Sequence, residues 1–283
     1  MKNIRIIPRL DIKGPNLVKG INFEGLRVLG NPNDFAKFYY DSLADELMYV
    51  DVVASLFERN SLSEMITRTC QEIFIPLTVG GGLRSVKDIR NALRSGADKV
   101  SLNTAAINNS DIIKESSLTF GSSTIVISIE AIKHDNGKYY AYTDNGREHT
   151  GKEVLEWAQE AEYLGAGEII ISSVDNEGTG EGFDLELCKL ISSSVKIPVV
   201  AHGGCGSIKH VIDVILESNV DAVSIASTLH YGAKNKFSNF SNNEEDRGNT
   251  EFLNKNISFN KIKPFEIEDL KKELISKGIN CRL

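Results

Sequence analysis

The chain is short of the residues that mark several large classes of protein. Its four cysteines, Cys70, Cys188, Cys205 and Cys281, stand apart with no CxxC spacing. Neither a zinc site nor a disulfide framework is indicated, and each reads as a buried or incidental thiol. No apolar run approaches the roughly 18–20 residues needed to span a bilayer. The N-terminal MKNIRIIPRLDIKG is too briefly apolar for a signal peptide, which predicts a cytoplasmic protein with no membrane contact. Basic residues are not in excess: 32 Lys and Arg against 39 Asp and Glu give a net charge of −7. That balance argues against a dedicated nucleic-acid binder but leaves room for a local basic pocket. What remains, 283 residues at 41% apolar and 25% charged, is an ordinary globular composition with ample chain for a sizeable core.

Short β-branched runs alternate with helical patterns along most of the chain. Strands are predicted over 4–11, 46–53, 75–79, 98–103, 124–130, 168–174, 197–201 and 221–226. Helical stretches over 33–43, 62–73, 86–95, 110–118, 152–164, 184–193, 208–217 and 265–277 lie between and after them. Eight strands each followed by a helix predict the α/β class and a (β/α)8 TIM barrel, as a single domain over 1–283. Two stretches interrupt the alternation. KYYAYT (138–143) and the following DNG read as a small β excursion. The polar tract 233–262 cannot bury much and predicts a mobile insertion before the last helix, either a spacer or a partner-binding loop.

An internal repeat supports the eight-strand reading. GADKVSLNTAA (96–106) resembles NVDAVSIASTL (219–229), ADELMYVDVV (44–53) resembles AGEIIISSVD (166–175), and VGGGLRS (79–85) resembles AHGGCGS (201–207). The offset is 122 or 123 residues each time, so half a barrel is written twice.

In such barrels the reactive site lies at the C-terminal ends of the strands. The repeat puts two glycine-rich turns there, Gly80-Gly81-Gly82 and Gly203-Gly204. Each is followed one strand later by small or polar residues, Asn103-Thr104 and Ala226-Ser227. Glycine lets backbone N–H groups approach an anion closely, so a duplicated pair of turns points to a substrate with a phosphate at each end. Asp11 and Glu130 close strands half a barrel apart and are natural general acid and base, although either could serve as a cap or ion-pair partner. Glu177, in VDNEGTG, is a third acidic candidate. Alternation along the first strand puts Arg5, Ile7, Arg9 and Asp11 on one side. The same parity collects Glu46, Lys99 and Glu168 level with Arg5, as a possible salt-bridged ring at the bottom of the barrel. Thr78, Ser101, Ser128 and Ser172 continue upward on the inner face, which suggests a polar axis able to conduct something small.

Taken together these residues resemble the cyclase subunit of imidazole glycerol phosphate synthase. The resemblance is carried by RLDIKGPNLVKGINFEGL, FIPLTVGGGLRS, GADKVSLNTAA, GAGEIIISSVDNEGTG, the 203–204 turn and the closing GINCRL, and covers nearly all but 233–262. It implies a barrel that receives ammonia from a glutaminase partner docked on its N-terminal face. Ammonia would then react with phosphoribulosyl-formimino-aminoimidazole-carboxamide ribonucleotide to give imidazole glycerol phosphate and aminoimidazole carboxamide ribonucleotide, with no metal or organic cofactor. By the same resemblance Asp11 and Glu130 are the catalytic carboxylates. Gly82, Asn103 and Thr104 hold one phosphate; Gly178, Gly204, Ala226 and Ser227 hold the other. Lys19 belongs to a mobile loop after the first strand, and Glu177 to the substrate-binding loop. Arg5, Glu46, Lys99 and Glu168 form an ammonia gate, and Asp98 meets the glutaminase.

Departures from the family pattern cluster at the chemistry. Glu130 and Glu177 each stand where the family has aspartate, and a longer acid shifts its carboxylate by about an ångström. Arg9 replaces a small residue and could pair with Asp11 or Glu130, narrow the ammonia path, or bind a substrate anion. His202 also replaces a small residue. Two other readings follow: a paralogue feeding ammonia to sugar amidation or amidination in surface-polysaccharide synthesis, and a non-catalytic scaffold that activates a glutaminase. An unrelated phosphate-binding isomerase barrel would need no ring at the bottom.

Overall fold

The computed structural model describes residues 2–54, 62–234 and 261–283, so most of the expected insertion at 233–262 lies outside the described residues. In chain order the strands are β1 (Arg5–Lys13), β2 (Asn16–Ile21), β3 (Glu24–Gly30), β4 (Leu47–Asp51), β5 (Leu77–Gly80), β6 (Lys99–Leu102), β7 (Ile125–Lys133), β8 (Tyr139–Thr143), β9 (Glu148–Glu153), β10 (Glu168–Ser173), β11 (Val199–His202) and β12 (Ala222–Ile225). Eight of them, β1, β4, β5, β6, β7, β10, β11 and β12, pair in parallel and close on themselves through β12 and β1. The fold is therefore the (β/α)8 barrel.

Helices cover its outside, among them α1 (Pro32–Asp41), α2 (Ser63–Thr69), α3 (Val86–Arg94), α4 (Thr104–Asn108), α5 (Asp111–Phe120), α6 (Val154–Tyr163), α7 (Leu185–Ser192), α8 (Ile208–Ser218), α9 (Ser227–Lys234) and α10 (Ile267–Ser276). Their starts are written locally. Asn31 caps α1, with Pro32 filling its first position, and Ser85 and Asp88 bond reciprocally at the start of α3. The main core lies between the outer barrel face and these helices, where residues such as Leu10, Phe35, Leu47, Ile127 and Trp157 are buried.

Each half of the barrel opens with an antiparallel excursion. β1 runs into the β2–β3 hairpin and β7 into the β8–β9 hairpin. The second excursion is the one expected from KYYAYT and DNG, extended by β9. The first differs from the mobile loop that the resemblance implies for Lys19, which lies in β2 and is buried.

Parallel register lays paired residues on the same face, so Arg9, Met48, Thr78 and Lys99 point inward together, as do Ser101, Val126 and Glu168. The interior is not polar throughout. Ile7, Met48, Val126, Ile170, Val200 and Ala222 pack together as an apolar cluster within it. Branched apolar side chains fill a narrow barrel most densely, and the cluster follows that rule.

Candidate active site at the C-terminal mouth

At the N-terminal end of the barrel, four side chains close a ring of ion pairs. Arg5 bonds Glu46 at 2.8 Å and Glu168 at 2.6 Å, and Lys99 bonds the same two carboxylates at 2.9 and 3.1 Å. Each carboxylate takes one cation on each oxygen, so charge alternates around the ring. Asp98, next to Lys99, is exposed and accepts a hydrogen bond from the Leu77 amide at 2.9 Å.

A cavity of about 300 Å³ opens at the other end, between the ends of β4, β5, β6 and β7. Gly82, Asn103, Thr104, Glu130 and Arg9 all line it. The glycine turn at its wall is required by packing. Gly81 has φ of +92°, and a Cβ there would meet the Asp51 carbonyl oxygen at 2.3 Å.

Glu130 is buried beside this cavity, and burial pushes its carboxyl up to about 7, against the opposing pull of Arg9 and of a hydrogen bond from the Gly146 amide. That bond, 2.9 Å long, comes from the turn between β8 and β9. The neighbouring Asn145 ties the same turn to the Val52 carbonyl at 2.8 Å, on the far side of the cavity. A backbone donor has no signature of its own in a sequence. The only trace was the DNG triplet, whose three residues all take positive φ. Gly146→Ala is expected to lower stability by about 1–3 kcal/mol, since φ is +79° and a Cβ would lie 2.7 Å from Val174 Cγ1. Thermal melting measures that loss. A shift in the pH dependence of activity would report the changed environment of Glu130.

Asp11 lives differently. It is buried, and burial alone would raise its carboxyl, but Arg9 and Lys19 overcome this and hold it below the usual range. Arg9 Nε bonds one oxygen at 2.8 Å and Lys19 Nζ the other at 3.1 Å. Lys19 also bonds Glu177, whose other oxygen faces His202 Nε2 at 3.2 Å; His202 Nδ1 donates to the Ser224 carbonyl at 3.0 Å. Glu177 is held well below the carboxylate range by Lys19 and His202, in spite of its burial. The pair Asp11 and Glu130 thus sits with one carboxyl held ionised and the other poised near neutrality, the separation that distinguishes an electrostatic partner from a proton carrier. Of the two routes open to Arg9, the direct bond goes to Asp11.

The second glycine turn is covered. Gly182 N donates to the Gly204 carbonyl at 2.8 Å, and Lys263 N to the Gly206 carbonyl at 2.8 Å. Ala226 and Ser227 are buried at the start of α9, and Gly178 packs against the Gly20 backbone. None of Gly178, Gly204, Ala226 and Ser227 lines the cavity that holds the first turn. The two halves are alike in sequence, and in the second the loop after β10 folds over the glycine turn that follows β11. Among those residues no cluster of His, Cys, Asp and Glu could hold a metal ion, and no helix is long and apolar enough to cross a membrane.

A closed eightfold barrel with a glycine turn, an ionised and a near-neutral carboxyl at its C-terminal mouth and an ion ring at its base has the architecture of a (β/α)8 enzyme. The chain belongs to the histidine biosynthesis protein family, whose sequence profile matches residues 5–235. It is 56% identical over 209 residues to imidazole glycerol phosphate synthase subunit HisF of Legionella pneumophila, covering 74% of this chain and 99% of that one. Identity to the subunit HisF of Lactococcus lactis subsp. cremoris strain MG1363 is 48% over 229 residues, covering 81% of this chain and 88% of the relative. The same figures hold for strain SK11.

Proposed function

We propose that this chain catalyses the cyclase reaction of imidazole glycerol phosphate synthase in histidine biosynthesis, with ammonia delivered through the barrel. The observation that carries the ammonia route is the coaxial arrangement of the Arg5–Glu46–Lys99–Glu168 ring and the Glu130 cavity, at opposite ends of one interior. In this reading the ring admits ammonia, the apolar cluster around Ile7 and Val126 lets a neutral molecule pass while excluding ions, and the mouth holds the formimino bisphosphate. Gly82, Asn103 and Thr104 take one phosphate; Gly178, Gly204, Ala226 and Ser227 take the other once the Gly182 contact over the Gly204 turn opens. Glu130 then gives and takes the protons that amine addition and ring closure require, and ionised Asp11 stabilises positive charge on the substrate.

A glutaminase docked on the N-terminal face supplies the ammonia. Leu43, Phe74 and Tyr163 support such a surface: each is exposed, and each lies just before a barrel strand, on the ring side.

Turnover with ammonium salt and no partner tests the chemistry alone. The expected product is imidazole glycerol phosphate. Binding of the bisphosphate without product would overturn the cyclase reading and favour an ammonia-delivering barrel of another pathway, for which the Arg9–Asp11 bond is the motivating observation.

A further inference from the structure

Arg9 is almost wholly enclosed, at 3% exposure, yet it borders the cavity. Its surroundings account for only part of the guanidinium. Phe23 lies against it with the ring centroid 5.4 Å from Cζ, and Asp11 takes Nε. Among the described residues no hydrogen-bond acceptor is found for Nη1 or Nη2, so those nitrogens are the ones left to meet the cavity. A guanidinium kept only as a counter-ion to Asp11 would present two nitrogens to the carboxylate, the usual bidentate pairing. Here it presents one, and Lys19 already occupies the other oxygen. An always-charged group cannot relieve the lack of partners by losing its proton.

We infer that Arg9 is a ligand-binding residue, its two terminal nitrogens forming a fixed fork for an oxyanion of the small molecule held in the Glu130 cavity. Gly82, Asn103 and Thr104 border the same cavity, so the ligand carries a phosphate at that turn and a second oxyanion at the fork, which for the bisphosphate is the phosphate destined for the Gly204 turn while that turn is still covered. The fork is pre-organised: Asp11 fixes one edge, Phe23 covers the plane, and Lys19 holds Asp11 in turn. The inference deepens the proposed function, since it rests on this cavity being the substrate site, and it makes Arg9 a determinant of which substrate the cavity accepts.

The test uses the full-length chain and NMR detection of arginine guanidinium groups, with Arg9 signals assigned by their loss in Arg9→Lys. Inorganic phosphate, acetate and the formimino bisphosphate are titrated separately. The Arg9 Nη signals are expected to move with at least one of the three. A response to phosphate alone makes the fork a phosphate subsite, and a response to acetate alone a carboxylate subsite. Calorimetry is expected to show the bisphosphate bound at least about tenfold more weakly by Arg9→Lys and Arg9→Met. Lysine keeps the charge beside Asp11 but loses the fork, so a purely structural role would be rescued by it and a binding role would not. Thermal melting checks that each variant folds, and Arg9→Lys carries the test if Arg9→Met does not. Unmoved Nη signals at saturation, or wild-type affinity in Arg9→Lys, would overturn the inference. If the wild-type chain fails to bind the bisphosphate, the cyclase reading falls, while phosphate and acetate still decide the role of Arg9.

Discussion

Glu130→Gln is expected to lower kcat by about 10²- to 10⁴-fold with ammonium as the nitrogen source, the range over which a positioned acid–base group contributes. Glutamine keeps the length of the side chain and an acceptor for the Gly146 amide, but it cannot carry a proton through the reaction. Supplying ammonium directly removes the ring and any partner from the measurement. The wild-type rate should inflect near pH 7, where Glu130 titrates, and that inflection should vanish in the variant. The same carboxyl has a signature in stability. Its ordinary value is 4.5 and its folded value about 7, so between these the unfolded chain releases a proton that the folded chain retains. The contribution of Glu130 to stability therefore falls as pH rises from 4.5 to 7 and is level above that. Melting curves of wild type and Glu130→Gln across this window should converge or cross accordingly. A loss of less than tenfold, with parallel melting curves, would remove Glu130 from the chemistry.

The second large effect lies in the buried charges behind the cavity. Lys19→Met is expected to destabilise the fold by about 3–5 kcal/mol, the usual consequence of removing one partner from a buried ion network. Methionine fills similar space but leaves Asp11 and Glu177, both enclosed, without the cation they share. The sign of the pH dependence follows from the wild-type carboxyls, both held low. Their stabilisation is present at neutral pH and is lost as pH falls through their folded values. The deficit of the variant should then be largest near pH 7 and shrink in acid. Lys37→Met is the control: its pair with Asp41 is exposed, one helical turn away, and should cost about 0.5 kcal/mol or less. Denaturant unfolding of the three chains at pH 7 and at about pH 3, below the ordinary carboxylate values, measures both. A Lys19 deficit no larger than that of Lys37 would show that Asp11 and Glu177 find other compensation.

These two predictions fall on residues that the sequence announced unequally. Glu130 was visible because it ends a predicted strand half a barrel away from Asp11, and strand parity alone places both inside. The ring residues were legible for the same reason: a period of two, a known direction of the strands and a duplicated half-barrel suffice to put Arg5, Glu46, Lys99 and Glu168 at one level. The eight strands, most of the helices and the Gly80–Gly82 turn follow from local propensity and repetition, which do not depend on where the loops go.

Other features depend on contacts between parts of the chain far apart in sequence, and no local pattern encodes them. Lys19 is a strand residue because β2 pairs back on β1, and that pairing brings it to Glu177, 158 positions later. The Gly146 amide reaches Glu130, and Asn145 reaches Val52, only once the β8–β9 hairpin has folded over the mouth. The second glycine turn matches the first in sequence and differs from it in access, since its cover comes from a loop outside the motif. The separation between the two carboxyls depends most fully on the tertiary structure. Asp11 and Glu130 are both buried acids, and what separates them is the number of cations in reach, a quantity fixed by packing in three dimensions and not by the order of residues.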